Sequence, residues 1–220
     1  MSATEDVLHH QSGSGWVVLA SRVPRLGGDT PELAARLVEH IDLSRPPAVL
    51  TMGEVPPAGL PDLVGDLTGL LAVEPALLSA SEEAPPELAE LSLIVLAGGN
   101  SADWVERLAQ DGLGQTLLKA LAQGAVLLVV GAAAGALGSW YLEGETVHKG
   151  LGWVAGSIIL TGSSQPSEST PVRQLLAEQG RAYALALADH TLVALGPGSE
   201  LEVWGESQPV IVFGPDWSSE

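Results

Sequence analysis

The chain has 220 residues, 46% of them hydrophobic, and carries 27 acidic against 9 basic side chains for a formal net charge of −18. Such a field repels phosphate backbones and anionic lipid surfaces, so neither nucleic acid nor membrane is an expected partner, and no apolar run reaches the roughly eighteen residues of a membrane span. With no cysteine in the sequence, disulfides, thiolate catalysis and cysteine-held metals are excluded together.

Met1 to Ser14 contains Glu5 and Asp6 and lacks the basic start and apolar block of a secretory signal. It reads as a flexible arm, residues 1–14, ahead of a single α/β domain over residues 15–215, a length at which such domains stay undivided. The expected compartment is the cytoplasm. Trp16 to Ala20 is a short apolar run suited to a buried first strand. After Gly27, Gly28 and Asp29, Thr30 is placed to cap a helix with Pro31 at its first position, and Leu33, Leu37 and Ile41 line one face. Ala48 to Met52 reads as a second strand, followed by a proline-rich loop and a helix from about Leu60 to Leu71, and Pro85 and Pro86 open a short helix.

Leu93 to Ala97, ending at Gly98 and Gly99, suits a strand buried on both faces. Helical spacing follows in Trp104, Val105 and Leu108, then in Leu117, Leu118 and Leu121 beyond Gly112 and Gly114, and Gln123 and Gly124 close that segment. Ala125 to Val130 is the most apolar stretch and the expected central strand. Later elements are shorter: a strand at Ser157 to Leu160, a helix at Thr170 to Gln179, and strands at Ala182 to Leu187, Leu201 to Trp204 and Val210 to Phe213, some of them antiparallel additions at the sheet edge. The alternation of strand and helix predicts a three-layer α/β/α fold around a mostly parallel sheet.

Hydrolases of this architecture display a nucleophile on a sharp turn between a central strand and the next helix, with small neighbours that allow the turn and an amide that holds an oxyanion. Gly131-Ala132-Ala133-Ala134-Gly135-Ala136 has that form without a nucleophile. The five histidines, His9, His10, His40, His148 and His190, offer no metal-ligand spacing beyond the terminal pair, so no metal and no cofactor is expected.

These stretches resemble the S51 serine peptidases, the family of cyanophycinase and aspartyl dipeptidase E on the class I glutamine-amidotransferase-like, flavodoxin-like fold. Gly98-Gly99-Asn100 matches the family's Gly-Gly-Asn or Gly-Gly-Gly loop, with Asp111-Gly112-Leu113 after it. Gly131 to Ala136 is similar to Gly-Thr-Ser-Ala-Gly-Ala with Ala133 where the serine stands, and Gly150-Leu151-Gly152-Trp153-Val154 is similar to Gly-Leu-Gly followed by apolar residues. Asp189-His190-Thr191 leading to Glu202-Val203-Trp204-Gly205 resembles the closing stretch. Where the family has a histidine in Asp-x-His-Phe, this chain offers Thr161-Gly162-Ser163-Ser164.

The resemblance therefore implies a peptidase-like protein with a vacant nucleophile position at Ala133, no histidine base, and a binding or assembly role. Gly98, Gly99, Asn100, Ala133 and Ala134 form the expected binding site, and a small carboxylate or amide-bearing molecule is the expected ligand. A homodimer is the assembly that exposed tryptophans would support. The competing reading is an active serine hydrolase built on Ser101 or Ser139 with His148; a third is a structural subunit whose pocket is filled by side chains.

Overall fold

The computed structural model describes residues 13–27, 31–82, 85–110, 112–162 and 165–217. Two sheets organise them. The larger runs in the order β11-β10-β1-β5-β4-β2-β3, from β1 (Trp16–Ala20), β2 (Pro47–Met52), β3 (Ala76–Ser79), β4 (Leu93–Gly98), β5 (Val126–Val130), β10 (Thr191–Leu195) and β11 (Leu201–Gly205). Its five strands from β1 to β3 are parallel, and β10 and β11 add antiparallel at one edge. The apolar runs of β1, β4 and β5 are buried along both faces, as parallel strands covered by helices on each side must be.

One face receives α1 (Pro31–Glu39) and α2 (Leu60–Leu71), whose Leu33, Leu37, Leu60, Leu63 and Leu67 join Val18, Val49, Val95 and Leu128 in a core. The other receives α3 (Ser101–Ala109), α4 (Leu113–Ala122) and α5 (Ala132–Ala136), with Trp104, Leu108, Leu117 and Leu121 against Leu19, Leu50, Leu96 and Val129. Fully burying each such leucine stabilises by about 1.5–3 kcal/mol. The α/β order read from the sequence is the observed one, and β5 is the central strand of the seven.

The second sheet, β12-β9-β8-β6-β7, goes beyond the sequence reading. It comprises β6 (Gly138–Glu143), β7 (Thr146–Lys149), β8 (Val154–Leu160), β9 (Tyr183–Ala186) and β12 (Val210–Phe213). Strands β6, β8 and β9 are parallel, while β7 and β12 add antiparallel at its edges. Ile159, Tyr183 and Leu185 extend the core under α3 to α5, and Ile158, Leu160 and Ala184 face α6 (Thr170–Glu178) through Val172, Leu175 and Leu176. The expected antiparallel edge strands are thus divided between two sheets. The cap expected at Thr30, together with Asp111, Ser163, Ser164 and the first twelve residues, lies outside the described residues. No helix among the described residues is long and apolar enough to cross a membrane.

Candidate functional site

The turn after the central strand has its apex at Gly131, with φ 61° and ψ −125°, and the helix α5 begins at the next residue. This is the strand-to-helix turn on which hydrolases of this architecture display a nucleophile, held here by a hydrogen bond from the Gly131 amide to the Ala20 carbonyl at 2.9 Å. The sequence reading put the vacant nucleophile position at Ala133, two residues beyond the positive-φ residue of this turn. Ala133 is the second residue of α5 and fully buried in the core, so its methyl group packs and does not present. The left-handed backbone falls two residues earlier, on a residue with no side chain at all.

The small residues of α5 have a packing reason. A Cβ on Gly135 would stand 3.0 Å from Ser101 Oγ and 3.6 Å from the Ile159 carbonyl oxygen, and Ala134 and Ala136 are completely buried between α3 and the second sheet. Ser101 is committed there as well, donating to the Ala132 carbonyl at 2.8 Å. Ser139 accepts from the Gly156 amide at 2.8 Å. His148 stacks on Tyr141 with 5.3 Å between ring centroids and lies 3.9 Å from Glu143 in the β6–β7 hairpin, and it lines a cleft with Gln174 and Glu178 of α6. Neither serine is paired with a base.

Gly98, Gly99 and Asn100 follow β4 as expected, and each does structural work. A Cβ on Gly98 would meet the Met52 carbonyl oxygen at 2.5 Å, and one on Gly99 the Met52 side chain at the same distance, with both glycines at positive φ. Asn100 caps α3, its side-chain oxygen accepting from the Asp103 amide at 2.9 Å. Trp104 Nε1 donates to the Gly98 carbonyl at 2.7 Å. The clefts lined by Asp189, by His148 and by Arg107 do not include Gly98, Gly99, Asn100, Ala133 or Ala134 among their lining residues.

What surrounds Gly131 is a different set of groups. The nearest atom to a Cβ built there is the Ser21 carbonyl oxygen at 3.7 Å. Ser21, at the end of β1 and almost fully buried, accepts a hydrogen bond from the Gly162 amide at 2.7 Å and donates one to Asp189 Oδ1 at 3.3 Å. Arg22 Nε lies 3.2 Å from the same oxygen. The ends of β1, β5, β8 and β9 therefore meet at one point, outside the carboxyl ends of parallel strands, where ligands of open α/β sheets bind. Gly162 has nothing within 4 Å of its Cβ direction. Asp189 lines a cleft of about 290 Å³ together with Gly162, Gln165 and Gln208, and a smaller one of about 120 Å³ with Ser21, Arg22 and His190. Instead of pairing with its neighbour His190, Asp189 engages Ser21 and Arg22. Sequence reasoning missed Ser21, although a polar residue directly following the first apolar strand is the signal that marks such a position. Among the described residues no three His, Asp or Glu side chains are grouped to hold a metal ion.

The fold has solved counterparts. A peptidase from an acI-B1 Actinobacterium superposes with a TM-score of 0.65 at 17% identity, covering 92% of this chain and 93% of that one. A protein provisionally named peptidase E from Listeria monocytogenes EGD-e gives a TM-score of 0.52 at 14% identity, covering 88% of this chain and 99% of that one. The fold is thus peptidase-like, resembling peptidase E. No family model and no curated protein matches the sequence.

Proposed function

We propose that this chain is a member of the S51 peptidase group whose hydrolytic site is empty, and that it acts by binding or assembly instead of catalysis. The observation that carries this reading is Gly131 at the apex of the turn. An acyl-enzyme needs an oxygen or sulfur nucleophile on that residue with a base in reach, and Gly131 has no side chain, while Gly162 stands in the segment of the absent histidine. The fold of the two solved structures supports the peptidase-like frame, and the Ser101 proton spent on the Ala132 carbonyl and the Gly156 amide hydrogen-bonded to Ser139 Oγ weigh against either serine serving as a substitute.

The test is exposure of the intact protein to an acyl-directed fluorophosphonate, followed by intact mass and peptide mapping. The expected result is an unmodified chain. A single phosphonylated serine at stoichiometric yield would place an activated hydroxyl in this fold and end the proposal.

A further inference from the structure

We infer that the cleft beside Asp189 binds the ammonium group of a small primary amine, and that this, and not a carboxylate, is the ligand chemistry of the site. The inference rests on the binding reading above and specifies it. The cleft, about 290 Å³, is lined by Gly162, Gln165, Pro166, the segment from Ala186 to Asp189, Gln208 and Val210. No lysine or arginine is among its lining residues, so a carboxylate would enter without a counter-charge. Among the described residues of the wall, Asp189 is the only one with a charged side chain.

The geometry leaves that carboxylate available. Ser21 and Arg22 both engage Oδ1, and no described residue engages Oδ2. Arg22 is an exposed partner, 70% accessible at its side chain, and it belongs to the lining of the smaller cleft on the other side of Asp189. An exposed pair of that kind holds its carboxylate weakly. Pro166, Leu187 and Val210 give the cleft an apolar wall against which a short alkyl chain can lie. Gly162 leaves the Cβ direction beside them open. Beyond the cleft, a net charge of −18 concentrates cations and depletes anions near the surface.

Three short-chain probes of similar length differ in their head group: n-butylammonium, butyramide and butyrate. Each is titrated into the uniformly ¹⁵N-labelled full chain up to about 50 mM, the range in which fragment affinities are read, following the amides of Gly162, Asp189 and Val210. Butylammonium should shift these amides saturably, butyramide more weakly, and butyrate not at all. Asp189→Asn, which keeps an acceptor for Ser21, should weaken butylammonium about tenfold or more, an effect of one lost charge in a partly screened site. Raising salt from about 0.05 to 0.5 M should weaken it in the wild type, because screening removes the long-range attraction. Butyrate binding as tightly as butylammonium, or no saturable shift at the three amides with any probe, overturns the inference. Should Asp189→Asn fail to fold, the probe series and salt dependence in the wild type decide alone. A protein that takes no fluorophosphonate and binds no butylammonium loses this inference and keeps the proposed inactivity; one that takes both loses the inactivity and keeps the cleft.

Discussion

Substituting Gly98 by alanine tests whether the glycine pair after β4 is there for packing. Two costs add at this position. The residue sits at φ 85°, where an L side chain costs about 1–2 kcal/mol. Its Cβ would also lie 2.5 Å from the Met52 carbonyl oxygen, and that oxygen cannot swing away because Met52 is registered opposite Gly98 in the parallel pair β2–β4. Forcing an extra methyl into such a contact costs about 1–3 kcal/mol. Against this, alanine reduces the freedom of the unfolded chain by about 0.4–1 kcal/mol. The net expectation is a loss of about 2–4 kcal/mol, read as a lower urea midpoint with an unchanged slope. Gly131→Ala provides the control. It carries a positive φ of 61° but meets only the Ser21 carbonyl, at an ordinary 3.7 Å, so strain acts without overpacking and, with the same unfolded-chain gain subtracted, the loss should stay below about 1.6 kcal/mol. A Gly98→Ala protein as stable as wild type, or less affected than Gly131→Ala, would refute the packing argument and return Gly98 to the candidates for ligand contact.

Arg45 donates to the carbonyls of Ala89, Glu90, Leu91 and Gln123 at 2.6–3.4 Å, tying the loop before β2 to the ends of two helical segments. Arg45→Ala should lower stability by about 2–4 kcal/mol, and Arg45→Lys should recover only part of it because one ammonium cannot span four acceptors; equal stability of alanine and wild type in urea would contradict this. Burial pushes the Tyr183 hydroxyl above its usual value, and the adjacent Ser157 spends its own proton on the Val154 carbonyl at 2.8 Å. Since the folded chain holds that proton more tightly than the unfolded one, stability should be level below about pH 10 and fall above it. In Tyr183→Phe the alkaline fall should shrink, with little cost at neutral pH because the hydroxyl has no hydrogen-bond partner among the described residues; an unchanged alkaline limb would refute the assignment.

The parts of the fold most legible in the sequence are those that burial dictates. Continuous apolar runs gave β1, β4 and β5, and the apolar stretch after the proline-rich loop gave α2, observed over Leu60–Leu71. The elements that escaped are those whose sequence lacks a burial signature. β3 is a four-residue edge strand with Leu77 exposed, and the β6–β7 hairpin mixes aromatic with charged residues because it covers one end of the second sheet. β10 lies in a stretch read only as a motif. The turn after β5 was legible in its composition alone. In Gly131-Ala132-Ala133-Ala134-Gly135-Ala136 every residue is small, so composition cannot fix which one occupies the apex; that is decided by the single left-handed backbone at Gly131, a property of the turn. Ser21 and Asp189 are 168 positions apart, and only the closure of β1 against β10 in the larger sheet and of β8 against β9 in the smaller brings them together at Gly162.

The central claim, that the turn presents no nucleophile and no base, is tested most directly by hydrolysis of aspartyl dipeptides, measured on the wild type beside Gly131→Ser and Ala133→Ser. A serine without a partner base stays protonated and forgoes the roughly hundred- to ten-thousand-fold that general-base assistance supplies. All three proteins should therefore release amino acid no faster than the buffer blank, with Ala133→Ser also destabilised by a hydroxyl placed in the core. Turnover by the wild type, abolished by changing one identifiable serine, would contradict the account.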